Sequence, residues 1–226
     1  MKKRDLLIIE FLEKARCASR DQLVSLFFSD LKNPISNCNT ILKRLRDRGY
    51  IDVSTDFQPF VYFPKPSGIK KDSMKIPHFL KIVDMYLALR EYEEPKVFTI
   101  EPKYGKDYSE PDIFTIWKGI PLFIEVQRTH YSSKVMASKT SLYEKLYDSQ
   151  ILLQEPWQNP EQLIHPYILL ISDYRYNIES KLPIMQYQSI NQFIEQMAAK
   201  YNLKKQQISN RTTKRVTTKI EQQGRK

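Results

Sequence analysis

Residues 110–127 read EPDIFTIWKGIPLFIEVQ. Two strand-like runs, DIFTIW and PLFIEVQ, flank a turn at Lys118-Gly119, a pattern that predicts a β-hairpin. Asp112 opens the first run and Glu125 lies near the close of the second, so pairing across the turn brings the two carboxylates together. Strand side chains alternate, so Glu125 and Gln127 share a face while Val126 points away. Carboxylates are costly to bury without compensation. The pair therefore marks either surface salt bridges or a site for Mg²⁺ or Mn²⁺. Mg²⁺ takes few protein carboxylates and keeps several waters. Such a metal activates water and stabilises charge on a phosphoryl oxygen. Glu101, at the end of a preceding strand, is either a third acidic ligand or a plain exposed Glu.

Working outward, PHFLKIVDMYLALREYEE (77–94) predicts a helix with Phe79, Leu80, Val83, Leu87 and Leu89 on its apolar surface, stopped by Pro95. KVFTIE (96–101) reads as a strand and residues 133–148 as a helix. PYILLIS (166–172) is a near-continuous apolar run, as expected of a strand covered on both faces. A last helix is expected from about 189 to 201. Tyr143 and Tyr147, four apart on one helix face, read as packing residues. Trp117 and Trp157 read as core or edge packing.

The first third has a different plan. Leu6, Ile9 and Leu12 have helical spacing. Ser19 and Gln22 form a capping-box start for a helix holding Leu23, Leu26 and Phe27. Asn33-Pro34 opens a third helix whose stripe is Ile35, Cys38, Ile41, Leu42 and Leu45, ended by Gly49. YIDVS and FVYFP then predict a two-stranded hairpin around Thr55-Asp56. The face of the third helix opposite its core carries Ser36, Asn37, Asn39, Thr40, Lys43 and Arg44. Asn and Arg read base edges in a major groove, and Ser, Thr and Lys mostly hold phosphates. The plainer alternative is a solvated face used for protein contacts. Tyr62, Lys65 and Lys70, in and after the hairpin, are candidates for backbone or minor-groove contact. The Pro-, Ser- and Lys-rich stretch after Pro64 reads as a linker. The expected boundaries are 1–65, a linker at 66–76, 77–200, and a tail at 201–226.

The chain of 226 residues is 41% hydrophobic, enough for a substantial core. Its net charge of +10 and pI near 9.4 favour polyanionic partners. Nine basic residues and one acid lie from Lys200 onward, so this end is either a nucleic-acid-binding tail or a solubilising one. Cys17 and Cys38 lack metal-ligand spacing and read as small core residues, in keeping with a reducing cytoplasm. The basic start carries acids within its apolar run, unlike a signal peptide. No stretch approaches membrane-spanning length.

Three short helices and a hairpin, with ILKRLRDRGYI at the junction (41–51), resemble a winged helix. Helix, three strands, helix, strand is similar to the core of the PD-(D/E)xK nuclease superfamily. The fold expected is thus an α+β winged helix followed by an α/β nuclease-like domain. HFLKIVDMYLAL, PDIF, FIEVQRT and LYEKLY together resemble the replication-relaxation family of bacterial plasmids, phages and integrative elements, over about residues 5–172. His78 matches a position of that family. The resemblance implies double-stranded DNA as partner, a cytoplasmic bacterial setting, and a role in replication, relaxation or mobilisation or its control. A homodimer and replication or relaxosome proteins are further partners it leaves open. In the nuclease pattern Asp112, Glu125, Gln127 and Glu101 take the catalytic positions, with Asp112 and Glu125 as metal ligands. Gln127 stands where the superfamily has Lys, and it supplies hydrogen bonds without charge. Lys134 or Lys139 on the next helix are candidates to replace that lysine. Arg128 is a third, although alternation turns it away, and Arg128, Lys134 and Lys139 are also candidate phosphate clamps. Two readings stay open: a DNA-binding protein with a silent nuclease fold, or a metal-dependent endonuclease or nickase. A protein-interaction adaptor is a third.

Overall fold

A computed structural model of the chain describes residues 1–159 and 161–200. The expected basic tail at 201–226 lies outside the described residues. The architecture is mixed α+β with two sheets.

Helix α1 (Lys3–Ala15) buries Asp5, Ile8, Leu12 and Ala15. The stripe is rotated from the expected Leu6, Ile9 and Leu12: Leu6 and Leu7 face solvent, and Ile9 is half-buried. Asp5 accounts for the rotation, because its carboxylate turns inward to meet the Arg44 guanidinium at 2.5 Å. A short strand β1 (Ala18–Ser19) leads into α2 (Arg20–Phe27). The capping box forms as the sequence predicts: the Gln22 N–H donates to Ser19 Oγ at 3.2 Å, and the Ser19 N–H donates to Gln22 Oε1 at 2.9 Å.

Helix α3 (Pro34–Asp47) buries Cys38, Leu42 and Leu45 against α1 and α2 residues Ile8, Leu12 and Leu23. Ile35, expected in that stripe, is half exposed on the first turn. Gly49 ends the segment at φ +77°, where a side chain would be strained. Both cysteines are buried, and burial pushes each thiol up to about 12. Strands β2 (Ile51–Ser54) and β3 (Val61–Pro64) pair antiparallel. Strand β1 adds to the far edge of β3, giving the order β1-β3-β2, an addition the sequence did not suggest.

Helix α4 (Ile76–Tyr92) is apolar around much of its circumference, burying Ile76, Phe79, Ile82, Val83, Met85 and Leu89. Such a helix needs cover on more than one side. On one side Gln22 Nε2 donates to the Leu80 carbonyl at 2.8 Å and to Asp84 Oδ1 at 2.7 Å. Val83 packs with Ala15 and Leu26. On the other side the Trp117 indole donates to the Leu89 and Glu93 carbonyls at 3.2 and 3.0 Å. Residues 1–188 accordingly form one compact unit.

The second sheet comprises β4 (Val97–Ile100), β5 (Ile113–Trp117), β6 (Ile120–Gln127), β7 (Tyr167–Ser172) and β8 (Ile184–Tyr187), in that spatial order. β4, β5 and β6 run antiparallel; β6, β7 and β8 run parallel. The β5–β6 turn places Lys118 at φ +51° and Gly119 at +76°, the paired positive angles of a tight hairpin. Helix α5 (Ser133–Asp148) lies in the β6–β7 connection, which parallel pairing requires to be long. Strand β8 was not anticipated; its four residues are all half-buried and lack an alternating signal. Trp157 stacks near Phe114 at 4.8 Å, the packing role expected of it.

The chain from Ser189 is a separate unit. Its described part is a helix, 190–200, in which Ser189 Oγ accepts from the Gln192 N–H at 3.2 Å and Ile190, Phe193 and Ile194 are buried.

Candidate functional site

The β5–β6 ladder pairs Ile113 with Ile124, so the next positions outward are Asp112 and Glu125. Directly opposed residues of an antiparallel pair share a face, and the two carboxylates stand at the same end of the sheet. Because β5 runs against β6, the start of β5 lies beside the carboxyl end of β6, where open sheets commonly place ligands.

Asp112 is well tethered. Its Oδ2 accepts the Val126 N–H at 2.7 Å, and its Oδ1 lies 3.2 Å from His78 Nε2 on the first turn of α4. Its carbonyl accepts the Glu101 N–H at 2.9 Å. Burial alone would push the Asp112 carboxyl up. The His78 contact, the Val126 N–H and the charge of Lys139 outweigh it and hold the group below its ordinary value.

Glu125 is 2% exposed. Lys139 Nζ donates to its Oε2 at 2.5 Å and the Tyr143 hydroxyl to its Oε1 at 2.5 Å. Burial pushes Glu125 up to about 7; the neighbouring Asp112 charge adds to this, and Lys139 and Tyr143 oppose it incompletely. For Lys139, burial acts to lower the ammonium, but Glu125 and then Asp112 hold it above its ordinary value. Lys139 and Tyr143 are four residues apart, on the α5 face that also buries Met136, Thr140 and Leu146.

The remaining residues singled out from the sequence divide clearly. Gln127 is buried on the Glu125 side of β6, and its Nε2 donates to the Thr129 carbonyl at 2.7 Å. Glu101 is half-buried at φ +48° and joins Asp112 through its backbone. Lys134 is exposed on the first turn of α5, so of the two candidate lysines it is Lys139 that reaches the acids. Arg128 is exposed just past β6. Tyr143 does more than pack, because it bonds Glu125, while Tyr147 stays exposed. His78, which sequence logic gives a structural role, contacts Asp112 directly. The i, i+4 spacing of Lys139 and Tyr143 was the available signal for their shared face.

Among the described residues, no group of three or more His, Cys, Asp and Glu side chains is gathered to hold a metal ion. Asp112 and Glu125 are the acids that stand together. A divalent cation there would compete with Lys139 and His78 for the same carboxylate oxygens.

On α3, Ser36, Asn37, Asn39, Thr40 and Lys43 are exposed. Asn37 Nδ2 donates back to the Asn33 carbonyl at 2.8 Å and Thr40 Oγ1 to the Ser36 carbonyl at 2.9 Å. Arg44 differs from its neighbours, being engaged by the buried Asp5. Lys65 and Lys70 are exposed, but Tyr62, on β3, is buried as part of the first core. Among the described residues, no helix is long and apolar enough to cross a membrane.

No family model matches the chain, and no curated protein or solved structure matches it significantly.

Proposed function

We propose that the protein binds double-stranded DNA of a bacterial mobile element, acting in replication, relaxation or mobilisation, or in their control. In this reading residues 1–65 work as a winged helix and the second sheet is a nuclease-like platform. The observation that carries it is the exposed polar row Ser36, Asn37, Asn39, Thr40 and Lys43 on a helix whose opposite face is locked in a core. Exposed Arg48, and Arg46 beside its exposed partner Asp47 at 3.0 Å, extend the row with basic side chains, suited to phosphates. The test is a mobility shift on duplex from the parent element at two salt concentrations. Wild type shifts it, and Asn39→Ala/Lys43→Ala weakens the shift by about tenfold or more. An equal shift by that variant would remove α3 as the reading element.

A second reading, metal-dependent cleavage of DNA, is favoured by the meeting of Asp112, Glu125 and Lys139. Lys139 would supply the positive charge that Gln127 lacks, and Mg²⁺ or Mn²⁺ would supply an activated water. Supercoiled plasmid incubated with Mg²⁺, Mn²⁺ or EDTA separates the two readings. Metal-dependent nicks lost in Asp112→Ala/Glu125→Ala make the protein a nuclease. A shift without nicks, equal in both proteins, leaves it a binding protein.

A further inference from the structure

The loops leaving β6 and β7 read RTHY (128–131) and DYRY (173–176). Parallel pairing of Gln127 with Ser172 sends them out side by side. They are tied together: the Tyr131 N–H donates to the Tyr176 hydroxyl at 3.2 Å. The His130 ring stacks on Tyr176 at 5.7 Å and 24°, and meets Tyr174 edge-on at 5.0 Å and 77°. Tyr176 is buried and fixed by β8, its N–H donating to Gln186 Oε1 at 2.9 Å and its carbonyl accepting from Gln186 Nε2 at 2.8 Å. On this anchored ring stands an outer set. Tyr131 is 36% exposed and Tyr174 46%, and His130, Arg128 and Arg175 are exposed with them. The set adjoins the acidic pair. Gln127 holds the Thr129 carbonyl, and Tyr131 bears electrostatically on Lys139.

The geometry points to a binding surface for unpaired nucleobases of a single DNA strand, with Tyr131, Tyr174 and His130 as stacking faces and Arg128 and Arg175 on the phosphates. Every base offers a π-face, so aromatic platforms take single strands with little sequence choice. Arginine adds phosphate pairing and cation–π contact to the same surface. Bases within a duplex are stacked on one another and cannot reach such rings. The residues flanking the aromatics are Thr129, Asp173 and Arg175 rather than aliphatics, which argues against an apolar protein-docking patch. The inference rests on the proposed DNA partner and deepens it: the carboxyl end of the sheet takes a strand already opened, while α3 takes duplex.

The test measures anisotropy of three labelled probes with the full chain: a thymidine oligonucleotide, an abasic strand of equal length, and a duplex. Wild type should bind the thymidine strand about tenfold or more tighter than the abasic strand. Tyr131→Ala/Tyr174→Ala should collapse that ratio towards one and leave duplex affinity unchanged. Tyr131→Phe/Tyr174→Phe should keep the ratio, because the rings remain. Equal binding of thymidine and abasic strands by wild type overturns the proposal, as does a ratio unmoved in the alanine variant. Duplex affinity reports separately on the reading beneath. Base-dependent single-strand binding without duplex binding removes the α3 role and leaves this surface standing. Tight duplex binding with single-strand affinity indifferent to the bases does the reverse.

Discussion

Lys139 Nζ lies 2.5 Å from Glu125 Oε2, joining helix α5 to strand β6. The acid's side chain is 3% exposed and the lysine's 27%. A buried charge that loses its partner is strongly destabilising, whereas the intact pair contributes little net.

Lys139→Ala should therefore cost about 3 kcal/mol at pH 8. The loss should shrink at pH 5, where Glu125 takes up a proton and its carboxyl no longer needs the ammonium. Denaturant melts at the two pH values measure this. An equal loss at both would show that the lysine acts through packing alone.

The raised Glu125 carboxyl sets the sign of a pH dependence. Its folded-state value, about 7, exceeds its ordinary 4.5. The folded chain holds that proton more tightly than the unfolded one. The resulting stability is fully present below 4.5 and is lost as pH rises through about 7, on the order of 3 kcal/mol in all. Glu125→Gln should flatten the stability curve across this window. Tyr143→Phe should move the falling limb to higher pH, since the lost hydroxyl favoured the carboxylate. Asp112 acts in the opposite sense: its contribution is present above 3.8 and is lost as pH falls through its lowered folded value.

Neighbouring basic residues on α3 should behave differently. Lys43 is exposed, while Arg44 holds the buried Asp5. Lys43→Ala should lower DNA affinity and the salt slope with the melting temperature unchanged. Arg44→Ala should cost about 2 kcal/mol of stability by leaving the buried Asp5 carboxylate with the Lys2 N–H but no cation. Paired thermal melts and salt titrations would show whether the two effects separate.

Gln22 uses its side chain twice, as capping acceptor to Ser19 and as donor to Leu80 and Asp84. Gln22→Ala should destabilise by about 2 kcal/mol, visible as a lower midpoint in urea. A loss of a few tenths would mean that solvent satisfies those groups.

Most elements of the fold were legible because each carries a local signal. Residues 133–148 have helical periodicity, and the Lys118-Gly119 turn fixes the register that opposes Asp112 and Glu125. The misses were long-range. β1 is two residues long and exists only through pairing with β3, and β8 only beside β7. The phase of α1 is set by Arg44, 39 positions away from Asp5. Tyr143 and His78 have ordinary local roles until β5 and β6 bring the acids to them. Alternation grouped Glu125 with Gln127, and of the two helix lysines the sequence offered as substitutes it is Lys139 that meets the acid.

The bonds from Gln22 to α4 also govern how the protein can be divided. The Lys-rich stretch between β3 and α4 looks like a place to cut, yet a cut there would not release two finished pieces. A fragment ending near residue 65 would bare Ala15 and Leu26 and leave the Gln22 amide without its acceptors. A fragment starting near residue 77 would bare Val83 and strip α4 of its covered side. Expressed separately, each half should be sticky, and mixing them should restore solubility without a peptide bond between them.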